Sequence, residues 1–415
     1  MPSPKFNLSV GFWAILTASV SQFQLCAQAD NATALPRVFS ADPAVLAQSK
    51  ASLAAGDVSL QPALKHVLAE ADKRLKARDS SVMDKDQVPP SGDKHDYMSQ
   101  APYFWKDTNS PDGKYVRRDG QRNPEIRGIS DAANFGSVCS GVHTLGLAYY
   151  FTGDEKYAAK AAEMTRVWFL NPATRMNPNL NYGQGIPGET DGRPTGLIGA
   201  RGLADFVDGI GLLAGSKSWT DADQQGITDW TRQYFQWLTT SKIGLGEDAA
   251  SNNHGTWYDV QAVSLALFIG DTDYAQKELS QARKKRIADE IQPDGKMPRE
   301  LARTLSFNYS VFNLHAEIEL ADLGNRAGVD LWHYQTSDGR GILKALEFMA
   351  PYAEPGHKWT YQQIHSTNRN DLGDLLIRAV PEYPDSPIHK NLQFYQPGDF
   401  ADSPERLYLK MASLK

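Results

Sequence analysis

The stretch Phe151-Thr152-Gly153-Asp154 joins the end of an apolar, helix-patterned segment to a polar residue, and similar junctions recur along the chain. The later copies are Leu213-Ala214-Gly215-Ser216, Ile269-Gly270-Asp271 and Leu323-Gly324-Asn325. Glycine readily adopts the left-handed conformation that ends a helix, and in the first three copies a residue suited to starting the next helix follows it. The junctions therefore predict pairs of helices joined by tight turns.

The four junction glycines lie 62, 55 and 54 residues apart, which leaves room for two helices and their loops in each interval. Apolar residues recur at helical spacing in the long segments, as at Leu60, Leu64 and Val67, whereas strand-like alternation is scarce. This pattern predicts a repeat of helical hairpins. Such hairpins either stack into an open superhelix or close into a toroid whose inner helices line a cleft, and periodicity does not separate the two.

The first 29 residues differ from the rest of the chain. Lys5 carries a positive charge, residues 8–25 are mostly apolar and uncharged, and Ala27-Gln28-Ala29 has the small-x-small pattern of a signal-peptidase site. We therefore predict a signal peptide over 1–29, a single domain over 30–415, and export to the periplasm or the medium. The residues before Cys26 are a poor context for lipidation, and the interrupted apolar run disfavours a membrane span in the mature chain.

Composition narrows the classes of function. Cleavage after Ala29 would leave Cys139 as the single cysteine, so a large core and no internal disulfide must stabilise the protein. The net charge of −6 is spread along the chain and gives no reason to expect a nucleic-acid partner. The sequence has no CxxC, HExxH, P-loop or GxGxxG pattern, so we expect no metal and no cofactor. The oligomeric state is not indicated.

The densest group of reactive side-chain types is Ser251-Asn252-Asn253-His254-Gly255-Thr256-Trp257-Tyr258, where a loop leads into an apolar helix. The amides and the threonine could simply cap that helix, with His254 bonded to a carbonyl. Alternatively, an amide, an imidazole and the backbone donors of a helix start suit a substrate carboxylate and the enolate that forms from it.

A second group runs from Pro298 to Tyr309 and contains Arg299, Arg303 and the tyrosine itself. Arg303 and Tyr309 are six positions apart, so on one continuous helix they would face roughly opposite sides. They converge only if the segment bends or a new helix starts between them. Taken singly, Arg299 could pair with Glu300 or another acid, and Tyr309 could be a core residue with a bonded hydroxyl.

Two long loops, Pro89–Pro124 and Asn171–Thr195, lie between the helical repeats. Long loops with aromatic and arginine residues tend to be functional, because such residues disfavour disorder. Their aromatic rings could stack on sugars or plug a core, and their amides could bind hydroxyls or only form turns. The candidate sugar-binding residues in these loops are Tyr103, Trp105, Arg117, Arg118, Asn181, Tyr182, Gln184 and Arg193.

Five strings together resemble the alginate lyase domain family, most closely polysaccharide lyase family 38 and more distantly the family 5 alginate lyases. They are Met98-Ser-Gln-Ala-Pro-Tyr-Phe-Trp105, Arg117-Arg-Asp-Gly120, Arg175-Met-Asn-Pro-Asn-Leu-Asn-Tyr182, Asn252-Asn-His-Gly-Thr-Trp-Tyr258 and Glu300-Leu-Ala-Arg-Thr304. The similarity runs over roughly residues 60–360. It implies an all-α (α/α) toroid with long rim loops, a metal-free site, and cleavage of an anionic polysaccharide to unsaturated products.

The resemblance places the family's catalytic residues on Asn253, His254, Arg303 and Tyr309. Removal of the C5 proton of a uronate requires that the adjacent carboxylate be neutralised, a role for Asn253 and His254. Arg303 would lower the pKa of Tyr309 or orient it. Tyr309 would take the C5 proton and protonate O4 where both lie on one side of the ring, and His254 would be the base where they are opposed. Trp257, Tyr258 and Arg299 join the loop residues as expected substrate contacts.

Several alternatives stay open at this point. Members of the resembling family act on alginate, including polymannuronate, or on β-1,4-glucuronan. A glycoside hydrolase on the same toroid would need two carboxylates, for which Glu189, Asp191, Glu247 and Asp259 are candidates. A non-catalytic module that binds oligouronates is the third possibility.

Overall fold

Helices dominate the computed structural model, which describes residues 35–109 and 111–414. The predicted signal peptide and its cleavage site lie outside the described residues. The helices are α1 (Pro43–Ala54), α2 (Gln61–Leu75), α3 (Asp131–Thr152), α4 (Glu155–Thr165), α5 (Leu203–Gly211), α6 (Asp221–Thr240), α7 (Lys242–Asp248), α8 (Asn253–Ile269), α9 (Thr272–Ala282), α10 (Pro298–Leu301), α11 (Ser306–Ala327), α12 (Ile342–Met349) and α13 (Arg369–Ala379).

The helices alternate between an inner and an outer ring. Inner helices α3, α5, α8 and α11 pack against one another in chain order, and α13 packs on α11. Outer helices lie against them, with α4 on α3, α6 and α9 on α8, and α12 on α11. Almost every residue of α8 is buried, as expected for a helix surrounded by protein. The predicted (α/α) toroid is confirmed, and Pro36–Lys415 forms one unit.

The junction glycines behave largely as predicted. Gly153 and Gly270 cap α3 and α8 with positive φ angles of 69° and 85°, and Asp154 and Asp271 cap the helices that follow. Gly215 also has a positive φ, of 83°. The prediction for Gly324 is wrong, because this glycine lies inside α11 against the carbonyl of Val329, and Gly328 caps the helix instead.

The inner ring is tight between α3 and α5 because glycines replace side chains there. A Cβ atom added to Gly146 would lie 2.6 Å from the carbonyl oxygen of Gly209. A Cβ atom added to Gly209 would lie 2.7 Å from the Cα atom of His143. The two backbones are therefore in direct contact, which a larger residue at either position would prevent.

The two long loops contribute four short strands at one end of the toroid: β1 (Met98–Gln100), β2 (Phe104–Lys106), β3 (Tyr115–Arg117) and β4 (Tyr182–Gly185). β2 and β3 form an antiparallel hairpin in which Phe104 pairs with Arg117. β1 pairs in parallel with β4, so the two loops are joined to each other by backbone hydrogen bonds. Within the two described ranges, no helix combines the length and apolar character that a membrane crossing requires.

Candidate active site

A cavity of about 1260 Å³ lies where the loops cover the N-terminal ends of α3, α8 and α11. Eight of the residues singled out in the sequence line it: Tyr103, Arg117, Gln184, Arg193, Asn253, His254, Arg303 and Tyr309. We call it the arginine cavity, because its described lining contains six arginines and no carboxylate. These arginines are Arg117, Arg122, Arg127, Arg193, Arg201 and Arg303.

His254 is held in one orientation by a buried carboxylate. Its Nδ1 atom lies 2.7 Å from Oε1 of Glu247, which is 1% exposed, and the imidazole itself remains 19% exposed. Because the carboxylate of Glu247 can only accept a hydrogen bond, the neutral ring carries its hydrogen on Nδ1. The lone pair of Nε2 is then free to accept a proton, as a general base must.

Asn253 begins α8 and is fixed by a second buried acid. Its side-chain nitrogen lies 2.9 and 2.8 Å from the two carboxylate oxygens of Glu300, and its backbone N–H donates to the same carboxylate at 2.8 Å. The capping role falls instead to Asn252, whose side chain accepts from the backbone of His254. The side-chain amide of Asn253 therefore already donates its hydrogen bonds to Glu300, although the residue also lines the cavity.

Arg303 and Tyr309 converge because α10 ends at Leu301 and α11 begins at Ser306, so a break in the helix separates them. The guanidinium carbon of Arg303 lies 3.6 Å from the centroid of the Tyr309 ring, a cation–π contact. Arg303 also forms a bidentate ion pair with Asp119, with nitrogen–oxygen distances of 3.0 and 2.7 Å. Burial opposes ionisation of Asp119, but the hydrogen bonds from Arg303 and Thr304, together with the charges of Arg303 and Arg117, outweigh it and lower the pKa of that carboxyl.

The hydroxyl of Tyr309 lies 2.7 Å from the hydroxyl of Tyr103. The charge of Arg303 lowers the pKa of Tyr309, as expected. Burial and the Tyr103 hydroxyl raise the pKa of Tyr309, and the smaller opposing effect of Arg303 does not cancel them. Tyr309 is therefore a neutral phenol, which suits a proton donor.

Arg193 is positioned by Gln184 on the rim. The guanidinium donates to the backbone carbonyl of Gln184 at 3.0 Å and to its side-chain oxygen at 2.9 Å, and it lies over the Phe104 ring. Gln184 has a φ angle of 50°, the single positive value of a non-glycine residue in the described chain. Backbone strain of this kind is typical of functional loops.

Seven expected substrate contacts do not line the arginine cavity. Tyr258 is a core residue that donates to the carbonyl of Leu238, and Trp257 packs on Phe312 and is 6% exposed. Arg299 pairs with Asp289 at 3.1 Å, as its alternative interpretation held. The other four are loop residues: Trp105 donates to the carbonyl of Gln121 and lies under Arg118, Asn181 accepts from Trp237, and Tyr182 begins β4.

The sequence did not identify the supporting acids in their present roles. Asp119, Glu247 and Glu300 each hold one of the predicted catalytic side chains, although Glu247 was considered for hydrolysis. Arg122, Arg127 and Arg201 were also missed, because isolated arginines in loops carry no local pattern. Asp119 lies 184 positions from Arg303, so a sequence signal would have required knowledge of the fold.

One group of carboxylates has spacing compatible with a metal ion, namely Asp248, Asp259 and Glu278. The Nζ atom of Lys285 lies 2.8 Å from Glu278 and 3.9 Å from Asp259, and Arg286 pairs with Asp259 at 2.7 Å. These side-chain cations already compensate the carboxylates, so the group is a buried ion-pair network.

The toroid and a cationic cleft with an imidazole and paired phenols define a polysaccharide lyase. The chain belongs to the alginate lyase family, whose model matches residues 81–359. It is similar to an alginate lyase from Bacteroides ovatus, with 39% identity and a TM-score of 0.85 over 90% of this chain and 99% of that one. None of the curated proteins matches it.

More distant structures share the fold. Alginate lyase A1-III from Sphingomonas species A1 has 16% identity and a TM-score of 0.55, covering 86% of this chain and 91% of its own. A variant of A1-III in complex with a tetrasaccharide has the same identity and TM-score, covering 91% of this chain and 96% of its own.

Proposed function

We propose that this chain cleaves β-1,4-linked polyuronate by β-elimination in the arginine cavity, with the polymannuronate of alginate as substrate and glucuronan as the alternative. The observation that carries the proposal is the six-arginine lining beside His254 and Tyr309. The similarity to the alginate lyase from Bacteroides ovatus supports the same substrate class.

The arginine cavity carries positive charge that the protein leaves partly uncompensated. Burial and the nearby charge of Arg117 lower the pKa of Arg193, and burial lowers the pKa of Arg201. A uronate carboxylate in the cavity would relieve this repulsion and accept charge-assisted hydrogen bonds. Every residue of a polyuronate carries such a carboxylate, so a polymer gains several contacts at once.

Elimination begins with loss of the C5 proton, which becomes acidic when the neighbouring carboxylate is neutralised. Nε2 of His254 is suited to accept this proton because Nδ1 donates to Glu247. The imidazolium that results is stabilised by the same carboxylate. His254 is thus the base for a sugar in which H5 and O4 lie on opposite sides of the ring.

The C4–O4 bond then breaks, and the leaving oxygen must be protonated. Tyr309 can donate this proton, since its raised pKa keeps the phenol neutral, and Arg303 stabilises the phenolate that remains. In mannuronate and glucuronate H5 and O4 lie on the same side of the ring, so Tyr309 would serve as both base and acid. Its hydroxyl proton must first pass to water, and Arg303 stabilises the phenolate that then takes the C5 proton and returns it to O4. The Tyr103 hydroxyl, 2.7 Å away, can then donate to the Tyr309 oxygen while it is ionised.

The arginine cavity also distinguishes elimination from the hydrolysis considered above. Hydrolysis of a glycosidic bond uses two carboxylates that flank it, and the described lining contains none. Asp259 is buried in its pair with Arg286, and Glu247 is bonded to His254.

A substrate panel tests the proposal. The purified protein is incubated separately with polymannuronate, polyguluronate and glucuronan, and the ultraviolet absorbance of unsaturated ends is followed beside an assay for reducing ends. We expect absorbance and reducing ends to rise together, first with polymannuronate. Reducing ends without absorbance on all three polymers would contradict the proposal, and so would the absence of any product.

A further inference from the structure

A second cavity, of about 860 Å³, adjoins the arginine cavity along the inside of the toroid. The two share Tyr103, Tyr309 and Phe312, so the proposed acid of the reaction stands in the wall between them. We call the second one the acidic cavity, because its lining contains six carboxylates and a single arginine. The carboxylates belong to Glu70, Asp205, Glu319, Asp371, Asp374 and Glu405.

The two cavities follow one another along the inner helices. On α3, Asn134 lines the arginine cavity and His143 the acidic one, and nine helical residues span about 13 Å. On α11, Tyr309 lies in the shared wall and Glu319 lines the acidic cavity beyond it. The sign of the charge therefore reverses within a few turns along the helices that carry the site.

The negative charge of the acidic cavity is only partly compensated. Arg378 lies 2.9 Å from Glu319 and 2.8 Å from Asp322, so its charge is already paired. The side-chain carboxyl groups of Asp205 and Asp374, which line the cavity, make no hydrogen bond or ion pair within the described residues. Four histidines, His66, His143, His315 and His365, are the remaining basic groups of the lining.

The surroundings of Asp374 show that the acidic cavity destabilises a negatively charged carboxylate. Burial, followed by the charges of Glu405 and Asp371, raises the pKa of Asp374 to about 7. Enclosure by the surrounding protein also raises the pKa of Asp205, although this residue is exposed to the cavity. An environment that resists ionisation of its own carboxyl groups also resists the carboxylate of an incoming uronate, because both costs come from desolvation and like charge.

We propose that this reversal of charge makes cleavage end-directed: the polyuronate fills the arginine cavity as far as the tyrosine wall, and the acidic cavity excludes all but a short end of the chain. The inference rests on the proposed function and concerns where along the polymer the cut falls. A chain whose middle lay across the wall would place several uronate carboxylates in the acidic cavity, where desolvation and like charge oppose them. A chain cut near its terminus avoids this repulsion, and short products follow.

The test compares bond cleavage with chain length. For the wild type on the best polymer of the substrate panel, we expect mono-, di- and trisaccharides from the first minutes and a slow fall in viscosity per unsaturated end. Rapid loss of viscosity with long early products would overturn the proposal. Failure to form unsaturated ends on any polyuronate would instead overturn the proposed function, so the two failures are distinguishable.

A variant with fewer carboxyl groups tests whether the charge of the acidic cavity causes the short products. Asp205→Asn with Asp374→Asn should raise the share of products longer than a trisaccharide by about tenfold, the scale on which the charge of a cleft alters occupancy. The control is Asp273→Asn with Asp385→Asn, which removes two exposed carboxylates and should leave product lengths as in the wild type. Equal product lengths in the folded variant and the control would overturn the proposal. If the variant does not fold, the wild-type viscosity measurement decides.

Discussion

The first turns of α8 carry one charge-assisted pair toward the cleft and another toward the core, and the two pairs differ in which hydrogen-bonding atoms remain free. Toward the cleft, His254 is bonded to Glu247 through one ring nitrogen and stays partly exposed. Toward the core, Asp259 and Arg286 bond to each other through both carboxylate oxygens, and Arg286 also donates to the carbonyl of Ala250.

The difference separates reactivity from stability. The core pair is nearly inaccessible, with side chains that are 0% and 1% exposed, and a group whose hydrogen bonds are filled cannot take part in proton transfer. The cleft group keeps one free nitrogen, which is the minimum that a base requires. Substitutions on the cleft side should therefore change turnover, and those on the core side should change the free energy of unfolding.

The largest loss of turnover is expected from a substitution in the cleft, at Tyr309 of α11. Tyr309→Phe removes the hydroxyl that protonates O4 while keeping the ring against Arg303, and we expect turnover to fall by about 10³-fold or more. The rate of formation of unsaturated ends measures this loss. The urea midpoint should change little, and a variant that retained wild-type turnover would remove Tyr309 from the mechanism.

On the core side, Arg286→Ala should lower the free energy of unfolding by about 3–5 kcal/mol, because Asp259 and Glu290 would lose the cation beside them. Urea unfolding measures the change. Lys284→Ala, an exposed substitution in the same segment, is the control and should stay within about 0.5 kcal/mol of the wild type. A similar small change for Arg286→Ala would show that the core pair contributes little to stability.

Glu247→Gln tests the comparison on the cleft side, because it removes the negative charge beside His254 while keeping a side chain of the same shape. The imidazolium formed during the reaction would lose its counter-charge, so kcat should fall by about 10–100-fold with a smaller change in KM. Steady-state kinetics across a pH range should also show an altered profile. Glu189→Gln, an exposed loop substitution, should have neither effect. Equal kinetics for both variants would mean that Glu247 is structural only.

The smallest effect concerns Glu317, whose two carboxylate oxygens have no hydrogen-bond partner in the described structure. Burial, followed by the charge of Glu290, raises the pKa of Glu317. Its protonated form therefore stabilises the fold at acidic pH, and this contribution is lost as the pH rises from the ordinary glutamate pKa toward the raised one.

Glu317→Gln should remove part of the pH dependence of the unfolding free energy of the wild type at pH values above the ordinary glutamate pKa, where the slope has an upper limit of about 1.4 kcal/mol per pH unit. Urea unfolding at several pH values measures the slope. Glu163→Gln removes an exposed carboxylate and should keep the wild-type slope. An unchanged slope in Glu317→Gln would show that this carboxyl does not bind a proton on folding.

Much of the fold was predictable because helix ends have local causes. Gly153 and Gly270 mark real ends, since a left-handed residue after an apolar helix is a property of neighbouring positions. Gly324 misled for the same reason, because a glycine that admits the backbone of Val329 has the same local pattern as one that ends a helix. Close approach is a tertiary effect that a junction motif does not encode.

The sequence predicted which residues form the candidate site, but it predicted fewer of the contacts between them. The break between α10 and α11 brings Arg303 to Tyr309, which was one of two arrangements open from their spacing. The pairing of Arg303 with Asp119 joins distant loops, and the choice between Trp257 as a contact and as a core residue depends on which face of α8 meets the ring. Neither follows from neighbouring residues.

The glycine contact between α3 and α5 determines how far apart these two helices lie at the acidic cavity. Gly209 lies against the backbone of His143, and Asp205 is one turn earlier on the same helix. Gly209→Ala would force the two helices apart and widen the acidic cavity, although none of the side chains that line the cavity would change. Evolution or an engineer could therefore change how much sugar this enzyme admits by choosing a residue that no sugar touches.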